Sequence, residues 1–532
     1  MTAQRIQSIE EAKPGPSTQH AAFKEMAELA RLPRLLRAGT RAMRASKEWT
    51  PQSPGEGDDA YGLRLKRSFL LGKYEDVCEA VGDTLFAGEL IVEPPNVASE
   101  AKAVPKPGDT PPAKRDADAP PELDDDIQAW LEDFDGEGRT VEEWLLEAFQ
   151  EALDVGCVHC LSDHPVIPVA SSLEEEQRNG ARPYAVMIRG DEILQVERGR
   201  FGGRNRILRV NIERCETKSI ETWGETTVKR TLVLYAGDPR VEDLSEESLR
   251  FVRWEIFDRD ENGKDLPTPT ENGSMRPHVD VPLDTFYTKR TGFLRGKPAL
   301  NRLAEKNAEH WQSSSHQRYH LDFSRFAQLF RKAFSDDEKK QLKVGSSNIW
   351  SAKHESADMK LVETTGAALG AGRQHLEDCK SEMAEMALEP FLKMGPSTAA
   401  EVAVSKGEAD SKAEAWAIGI GKFVTEILGR FRRWNTPAGQ DPKPVGAAKL
   451  RMSKVMVLTP QQIDFIKFLR QNNDVDQQSL LRAGKESGLL PAWLDISVVL
   501  ERTKTEAPKL TGFPLPLPPP KPAAGGPTPP TS

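Results

Sequence analysis

Apolar positions change their period along the chain, and each change marks a different kind of element. Trp144, Leu145, Ala148, Phe149 and Ala152 recur at helical spacing directly after Thr140 and Glu143, the two halves of a capping box. That pattern predicts a capped amphipathic helix with one buried face. From Arg182 to Asp260 the period drops to short runs rich in strand formers: YAVMIR, ILRVNIERC, RTLVLYAG and FVRWEIF. Turn residues, among them Gly202-Gly203 and Asn262-Gly263, separate these runs and predict an antiparallel sheet.

Helical spacing returns after Gly296. Residues 297–333 hold no Gly and no Pro beyond Pro298, which fits a first helical turn. A helix over most of that span would be about 45–50 Å long. It is unusually polar, with Glu305, Lys306, Asn307, Glu309, Gln312 and Ser313 to Ser315. Such helices pack against copies of themselves or line water. A second long helix is expected from a capping box at Thr398 and Glu401. Its stripe of Ala413, Trp416, Ile420, Phe423, Val424, Ile427 and Phe431 follows i, i+3, i+4, i+7 spacing. The segment LTPQQIDFIKFLRQNNDVDQQSLLRAGKESGLLP reads as two short helices joined at Asn472–Asp476.

Three stretches lack any period. Residues 1–20 are polar with Pro14 and Pro16, residues 94–126 mix Pro, Ala and both charges, and the end carries a PLPLPPPKP run. All three are expected outside the core as arm, loop and floppy tail, the last in preference to a polyproline ligand for an SH3-like groove.

Composition sharpens this picture. The chain has 532 residues, enough for several modules, and only 38% are hydrophobic. Lys+Arg number 72 against 82 Asp+Glu, for a net charge of −10. An acidic balance argues against a clamp held on DNA by bulk charge, but not against a surface that DNA passes without sticking. Cys78, Cys157, Cys160, Cys215 and Cys379 are too scattered for a disulfide framework. The first residues lack the layout of a signal peptide, and Glu414, Lys422 and Glu426 break the most apolar stretch, Ala413–Leu428. A soluble protein made in a reducing cytoplasm, without membrane contact, is expected.

Candidate chemistry is sparse. Asp133-x-Asp135-x-Glu137-Gly138 and Asp258-x-Asp260-x-Asn262-Gly263 imitate the start of a calcium loop, but Trp144 and Pro269 stand where the bidentate Glu belongs. A helix-preceding loop and a hairpin turn are the expected forms. Cys157-x-x-Cys160 with His159 and His164 suggests zinc, yet no second ligand pair of suitable spacing accompanies it. His316 and His320 lie one turn apart without the Glu of a zinc-protease helix. Gly366, Gly370 and Gly372 fit no phosphate-binding loop, and no nucleophile elbow occurs. The basic stretch Arg198 to Arg206 reads as a solvated hairpin tip rather than a phosphate contact. No catalytic residues, cofactor or metal ligands are assigned.

The order of the pieces resembles the portal proteins of tailed phages, specifically a portal-like family long catalogued as a domain of unknown function. TPQSPGEGDDAYGLRLKRSFLLGKYEDVCEAVGDTLFAG resembles its opening helix and the glycine-terminated element after it. FDGEGRTVEEWLLEAFQEALDVGCVHCLSDHP resembles its loop, helix and strand, which places Cys157 to Pro165 on the strand. The long helix with its Leu-Asn-x-x-His-(Tyr/Trp)-x-Ser-Ser signature is carried by Leu300 or Leu303, His310, Trp311, Ser313 and Ser314. ADMKLVETTGAALGAGRQHLEDCKSEMAEMALEPF matches strand, loop and helix. Thr398, Ala399, Glu401, Glu408 and Ser411 match the last helix. The likeness spans residues 50–500. It departs in the long 94–126 loop and at FSRFAQLF, where the family breaks with a Gly-Phe-Pro-like turn.

The resemblance implies an α+β portal fold with an antiparallel-β wing, long stem helices, a small clip and a helical crown. The corresponding bounds are a flexible arm at 1–40, a wing at 41–292 and a stem helix at 293–330. A clip follows at 331–357, a returning stem, tunnel loop and wing or crown helices at 358–440, a crown at 441–505 and a tail at 506–532. It implies a non-enzymatic homo-dodecamer at one capsid vertex, the channel for DNA packaging and ejection. Implied partners are the terminase large subunit, the major capsid and scaffold proteins, a head-tail connector or adaptor protein, and double-stranded DNA passing non-specifically. The implied location is the virion, after assembly in the host cytoplasm. Glu363, Thr364, Thr365, Gly366, Leu369, Gly370 and Gly372 are the candidate loop facing the channel. Arg331, Lys332, Lys339, Lys340 and Lys343 are candidates for terminase docking near the clip, or a plain solvated helix-loop. The alternative is a metal-supported phage or host enzyme around Cys157, Cys160 and His164.

Overall fold

The computed structural model describes residues 15–93, 124–165, 181–201, 204–220, 224–237, 252–260, 263–275, 281–325, 328–332, 356, 358–362, 367–386, 399–436, 440–451 and 481. Helices α1 (Ala21–Arg37), α2 (Gly39–Ala45), α3 (Asp58–Arg67) and α4 (Lys73–Phe86) come first. Strand β1 (Leu90–Glu93) and helices α5 (Asp125–Glu132) and α6 (Val141–Val155) follow. Next are β2 (Cys157–Asp163), β3 (Tyr184–Arg189), β4 (Ile193–Phe201), β5 (Arg204–Ile220) and β6 (Gly224–Ala236). Then come β7 (Val252–Asp258), β8 (Glu271–Ser274), β9 (Leu283–Tyr287), β10 (Arg290–Gly292) and β11 (Arg295–Gly296). The last are α7 (Asn301–Arg325), β12 (Gln328–Lys332), β13 (Asp358–Val362), α8 (Ala367–Met386), α9 (Ala399–Asn435) and β14 (Ala447–Leu450). All of these belong to one unit, Met1–Met452; Ser453–Ser532 form a second.

The fold is α+β. Strands β4-β5-β6-β7-β8 form an antiparallel sheet, as the alternating runs predict, but YAVMIR does not join it. As β3 it pairs instead with the central strand of a separate sheet, β3-β2-β9. The switch happens at a 3-10 turn, Gly190–Glu192, where a Cβ on Gly190 would come within 2.8 Å of the Cys157 carbonyl oxygen. Only a bare glycine lets the chain cross β2 that closely.

Helix α6 starts at the expected capping box, and every residue of its apolar stripe is buried, Trp144 completely. It ends at Gly156, whose φ of +101° and contact with the Lys297 backbone both exclude a side chain. Strand β2 then divides two apolar clusters: Val158 and Cys160 face the α6–α9 side, Cys157 and Leu161 the side of the large sheet. Helix α9 fulfils its stripe. Ala413, Ile420, Phe423, Val424, Ile427 and Phe431 are buried and Trp416 packs against them, with Trp144 stacked near Phe423.

Three expectations need correction. The flexible arm of 1–40 is not an arm from residue 15 on: α1 inserts Phe23, Met26, Ala30 and Leu36 into the core. Residues 15–20 are also tied down, Pro16 and Thr18 accepting hydrogen bonds from Asn211 and Gln195. Pro33 inside α1 hid this helix from a reading that treats proline as a breaker. The long loop ends before residue 126, because Asp124 caps α5 and, with Asp126, binds the Arg432 guanidinium. The helix expected over 297–333 runs only from Asn301 to Arg325, so Pro298 precedes it and Leu329–Lys332 lie in β12. The cap residue Thr398 and the two short helices around Asn472–Asp476 lie outside the described residues.

Candidate functional site

Helix α7 changes character along its length. Its first half is core: Leu303, Ala304, Ala308 and Trp311 are buried. Polar residues in that half are drawn inward as well. Asn307 is fully buried, its amide nitrogen donating to the Leu71 carbonyl at 2.9 Å and its oxygen accepting from the Tyr74 N–H at 2.9 Å. It thereby satisfies the Tyr74 N–H in the first turn of α4, where none of the helix's own bonds reach, and shares the Leu71 carbonyl with the Lys73 N–H. Trp311 Nε1 donates to Thr50 Oγ1 at 2.5 Å, and buried Ser315 accepts from Ser68 Oγ at 2.8 Å. Behind Ser315 sits Arg64, buried and paired with Glu56 at 2.7 Å, which holds the Glu56 carboxyl below its usual range. Much of the polarity that suggested water or sister copies is thus consumed within the chain.

Helix α8 lies antiparallel on α7. Lys306 reaches Glu382 at 2.5 Å, Ser313 Oγ lies 3.2 Å from His375 Nε2, and Gln317 donates to the Leu369 carbonyl at 2.9 Å. From Leu369 to Met386, the α8 side chains other than Cys379 and Met383 are exposed or half-buried. At the far end, β12 and β13 pair antiparallel from Gln328↔Val362 to Lys332↔Asp358. The result is an arm: a helix leaves the body, a strand pair closes it, and a second helix returns.

The candidate channel residues fall partly here. Leu369, Gly370 and Gly372 are not in a loop; they occupy the first turns of α8, and Gly372 abuts the Gln317 side chain. The bare position at 372 lets the Gln317 side chain of α7 approach, whereas Gly370 faces open space. Glu363, Thr364, Thr365 and Gly366 lie outside the described residues. Of the docking candidates, Arg331 and Lys332 are in β12, Lys332 exposed, and Lys339, Lys340 and Lys343 lie outside the described residues.

The metal alternative at Cys157 does not assemble. Cys157 and Cys160 are three residues apart on a strand, so their side chains point to opposite faces and into the two different clusters. Both thiols are pushed up by burial, that of Cys157 to about 12. His159 is completely buried, its Nδ1 2.8 Å from Thr285 Oγ1, and burial drives its pKa down to about 3. His164 stacks on Trp434 instead. The calcium-like carboxylates are equally engaged. Asp133 accepts from the N–H groups of Gly136 and Gly138, Asp135 from Glu137 and Arg139, and Asp258 from Arg230. His316, with its pKa lowered by burial and then by Arg64, gathers no carboxylate and histidine set for a metal.

One cluster was not foreseen. Glu309 on α7 and His375 and Cys379 on α8 bring a carboxylate, an imidazole and a thiol together; among the described residues no other group of metal-type ligands does so. The spacing His375-x-x-x-Cys379 places two ligands on one helical face. The third lies far away in sequence, so no local motif announces it.

The model of a family described as "Domain of unknown function (DUF4055)" matches residues 299–435, the arm and α9. No curated protein matches the sequence. Among solved structures, one described as "Virion of native gene transfer agent (GTA) particle" is similar at 9% identity and a TM-score of 0.39, covering 79% of this chain and 90% of that one. "Neck of empty GTA particle computed with C6 symmetry" is similar at 10% identity and 0.38, with the same coverages. "Neck of native GTA particle computed with C12 symmetry" gives 10% and 0.37, covering 81% and 92%. Among the described residues no helix is long and apolar enough to cross a membrane.

Proposed function

We propose that this chain is a portal-like subunit, a structural protein that assembles into a ring at one vertex of a phage-type capsid. The observation that carries this reading is the arm. An antiparallel helix pair, α7 and α8, is closed at its far end by the β12–β13 pair. A stem and clip need that order of elements. The described residues of the long-helix motif from Asn301 on, of the strand-loop-helix after it and of the last helix fall on α7, β13, α8 and α9. In this reading the sheets with α1–α6 are the wing, and α7 and α8 the stem. β12, β13 and the segment between them form the clip, where Arg331 and Lys332 help dock the terminase large subunit. The residues from Glu363 into α8 face the channel. The wing and crown meet scaffold and major capsid proteins, and a connector protein joins later.

Charge is consistent with a conduit. Twelve copies at −10 each give about −120, a field that repels the DNA backbone rather than gripping it. No step of catalysis is assigned to the chain.

The test is the native mass of the purified full-length protein, with negative-stain images. Twelve chains of 59.0 kDa give a closed ring of about 700 kDa with a central hole. A strict monomer at every concentration, both alone and co-expressed with the scaffold protein of its own phage, overturns the reading.

A further inference from the structure

We propose that Glu309, His375 and Cys379 form a zinc-binding site that staples α7 to α8. The inference does not depend on the portal reading. Glu309 Oε1, His375 Nε2 and Cys379 Sγ make a nearly equilateral triangle with sides of 3.7, 3.7 and 3.8 Å. The centre of such a triangle lies about 2.2 Å from each corner, within the range of zinc–nitrogen, zinc–oxygen and zinc–sulfur bonds of about 2.0–2.3 Å. The 3.7 Å carboxylate–imidazole separation is also too long for an N–H···O hydrogen bond, which needs about 2.7–3.2 Å. Without an ion only the weak thiol contacts, Cys379 Sγ donating to Glu309 Oε1 and lying against His375 Nε2, join the three atoms around a common point.

The surroundings aim the ligands. Lys306 binds the other oxygen of Glu309, Oε2, at 2.8 Å, and is itself held by Glu382 at 2.5 Å. That pairing leaves Oε1 directed at His375 and Cys379, as carboxylate ligands are commonly oriented by a second partner. Cys379 is 1% exposed, which shields a bound thiolate, while His375 is exposed and gives the ion a way in. An ion bound at Cys379 would displace the thiol proton to solvent. Ser313 Oγ lies 3.2 Å from Nε2, a hydrogen bond that an incoming ion would displace from the ring nitrogen.

The donor set selects the metal class. A thiolate with an imidazole excludes magnesium and calcium, which take oxygen ligands, and favours zinc among the abundant divalent ions. Two of the ligands sit one turn apart on α8 and the third on α7, so an ion cross-links the helices outside the apolar core. The arm otherwise holds together there through exposed or half-exposed polar pairs, each of small value in water.

The test uses the full-length protein and Co2+ as the probe, with Zn2+ as competitor. The expected result is one equivalent of Co2+ per chain with a thiolate-to-cobalt charge-transfer band and tetrahedral visible bands, all bleached by Zn2+. His375→Gln, at an exposed position that leaves packing alone, should weaken binding at least tenfold, and Cys379→Ser should abolish the charge-transfer band. Lys306→Met should weaken binding about tenfold, within the range for removing a ligand's orienting partner. Cys215→Ser, at the exposed thiol, should change nothing. Absence of the band at saturating Co2+, or a band that survives His375→Gln and vanishes in Cys215→Ser, overturns the proposal. Ring assembly is read separately by native mass, so failure of this site and failure of the portal reading give different results.

Discussion

The body around α6 and α9 and the arm of α7 and α8 are held by different physics. In the body, two helices present apolar stripes to a common core, and aromatic rings meet edge to face: Phe134 with Trp144, and Trp130 with Phe431. Position there follows from periodicity alone. In the arm the contacts between α7 and α8 are polar, Lys306 with Glu382, Ser313 with His375 and Gln317 with the Leu369 carbonyl, and among the described side chains apolar burial on α8 shrinks to Cys379 and Met383. A body of that kind resists deformation. A helix pair joined by polar contacts can be adjusted by ligands and neighbours at small cost, which suits a part that meets partners.

The largest break in that contrast is Trp144→Ala. Trp144 is fully buried, so its loss should destabilise the body by about 3–5 kcal/mol, read from denaturant midpoints. Second is Asn307→Ala, at the boundary between the regions. The buried Tyr74 N–H loses its partner while the half-buried Leu71 carbonyl keeps the Lys73 N–H, for about 1–3 kcal/mol in the same assay; a change below 0.5 kcal/mol would show that α7 is not anchored as described.

The third prediction is a pH dependence inside the body. His159 has its pKa lowered from 6.5 to about 3 by burial. Its folded form binds fewer protons than its unfolded form, so the stability it contributes is present above about pH 6.5 and declines as pH falls toward 3. Asp154 works in the opposite sense. Burial raises its carboxyl from 3.8 to about 6, so its contribution is present below about pH 4 and fades as pH rises through 6. Between pH 4 and 6, His159→Gln should therefore flatten the loss of stability on acidification and Asp154→Asn should steepen it. Unchanged slopes in both variants would show the groups to be hydrated. The smallest effect belongs to the arm: Glu382→Gln removes a half-exposed partner of Lys306 and should cost no more than about 1 kcal/mol, vanishing at high salt.

How much of this was legible in the sequence follows the same division. The capping box at Thr140, the α9 stripe and the antiparallel pattern of the large sheet carry local periodicity and read correctly. The fate of YAVMIR did not, because a strand's partner is chosen by the 3-10 turn at Gly190 and not by its own alternation. Helix α1 was missed because Pro33 breaks the pattern without breaking the helix. Around the candidate site, polarity misled. Asn307 and Ser315 look like solvent-facing residues until their partners at Leu71 and Ser68 are known, and those lie more than 230 positions away. The Cys157-x-x-Cys160 spacing advertised a metal that strand geometry forbids, while Glu309, His375 and Cys379 converge without any motif.

The most direct measurement is cryo-electron microscopy of the purified assembly with rotational averaging. The account predicts a closed ring in which the α7–α8 arms gather around the central hole, with the β12–β13 pairs at one end of it. A chain that forms no ring, or a ring whose arms point away from the axis, would contradict it.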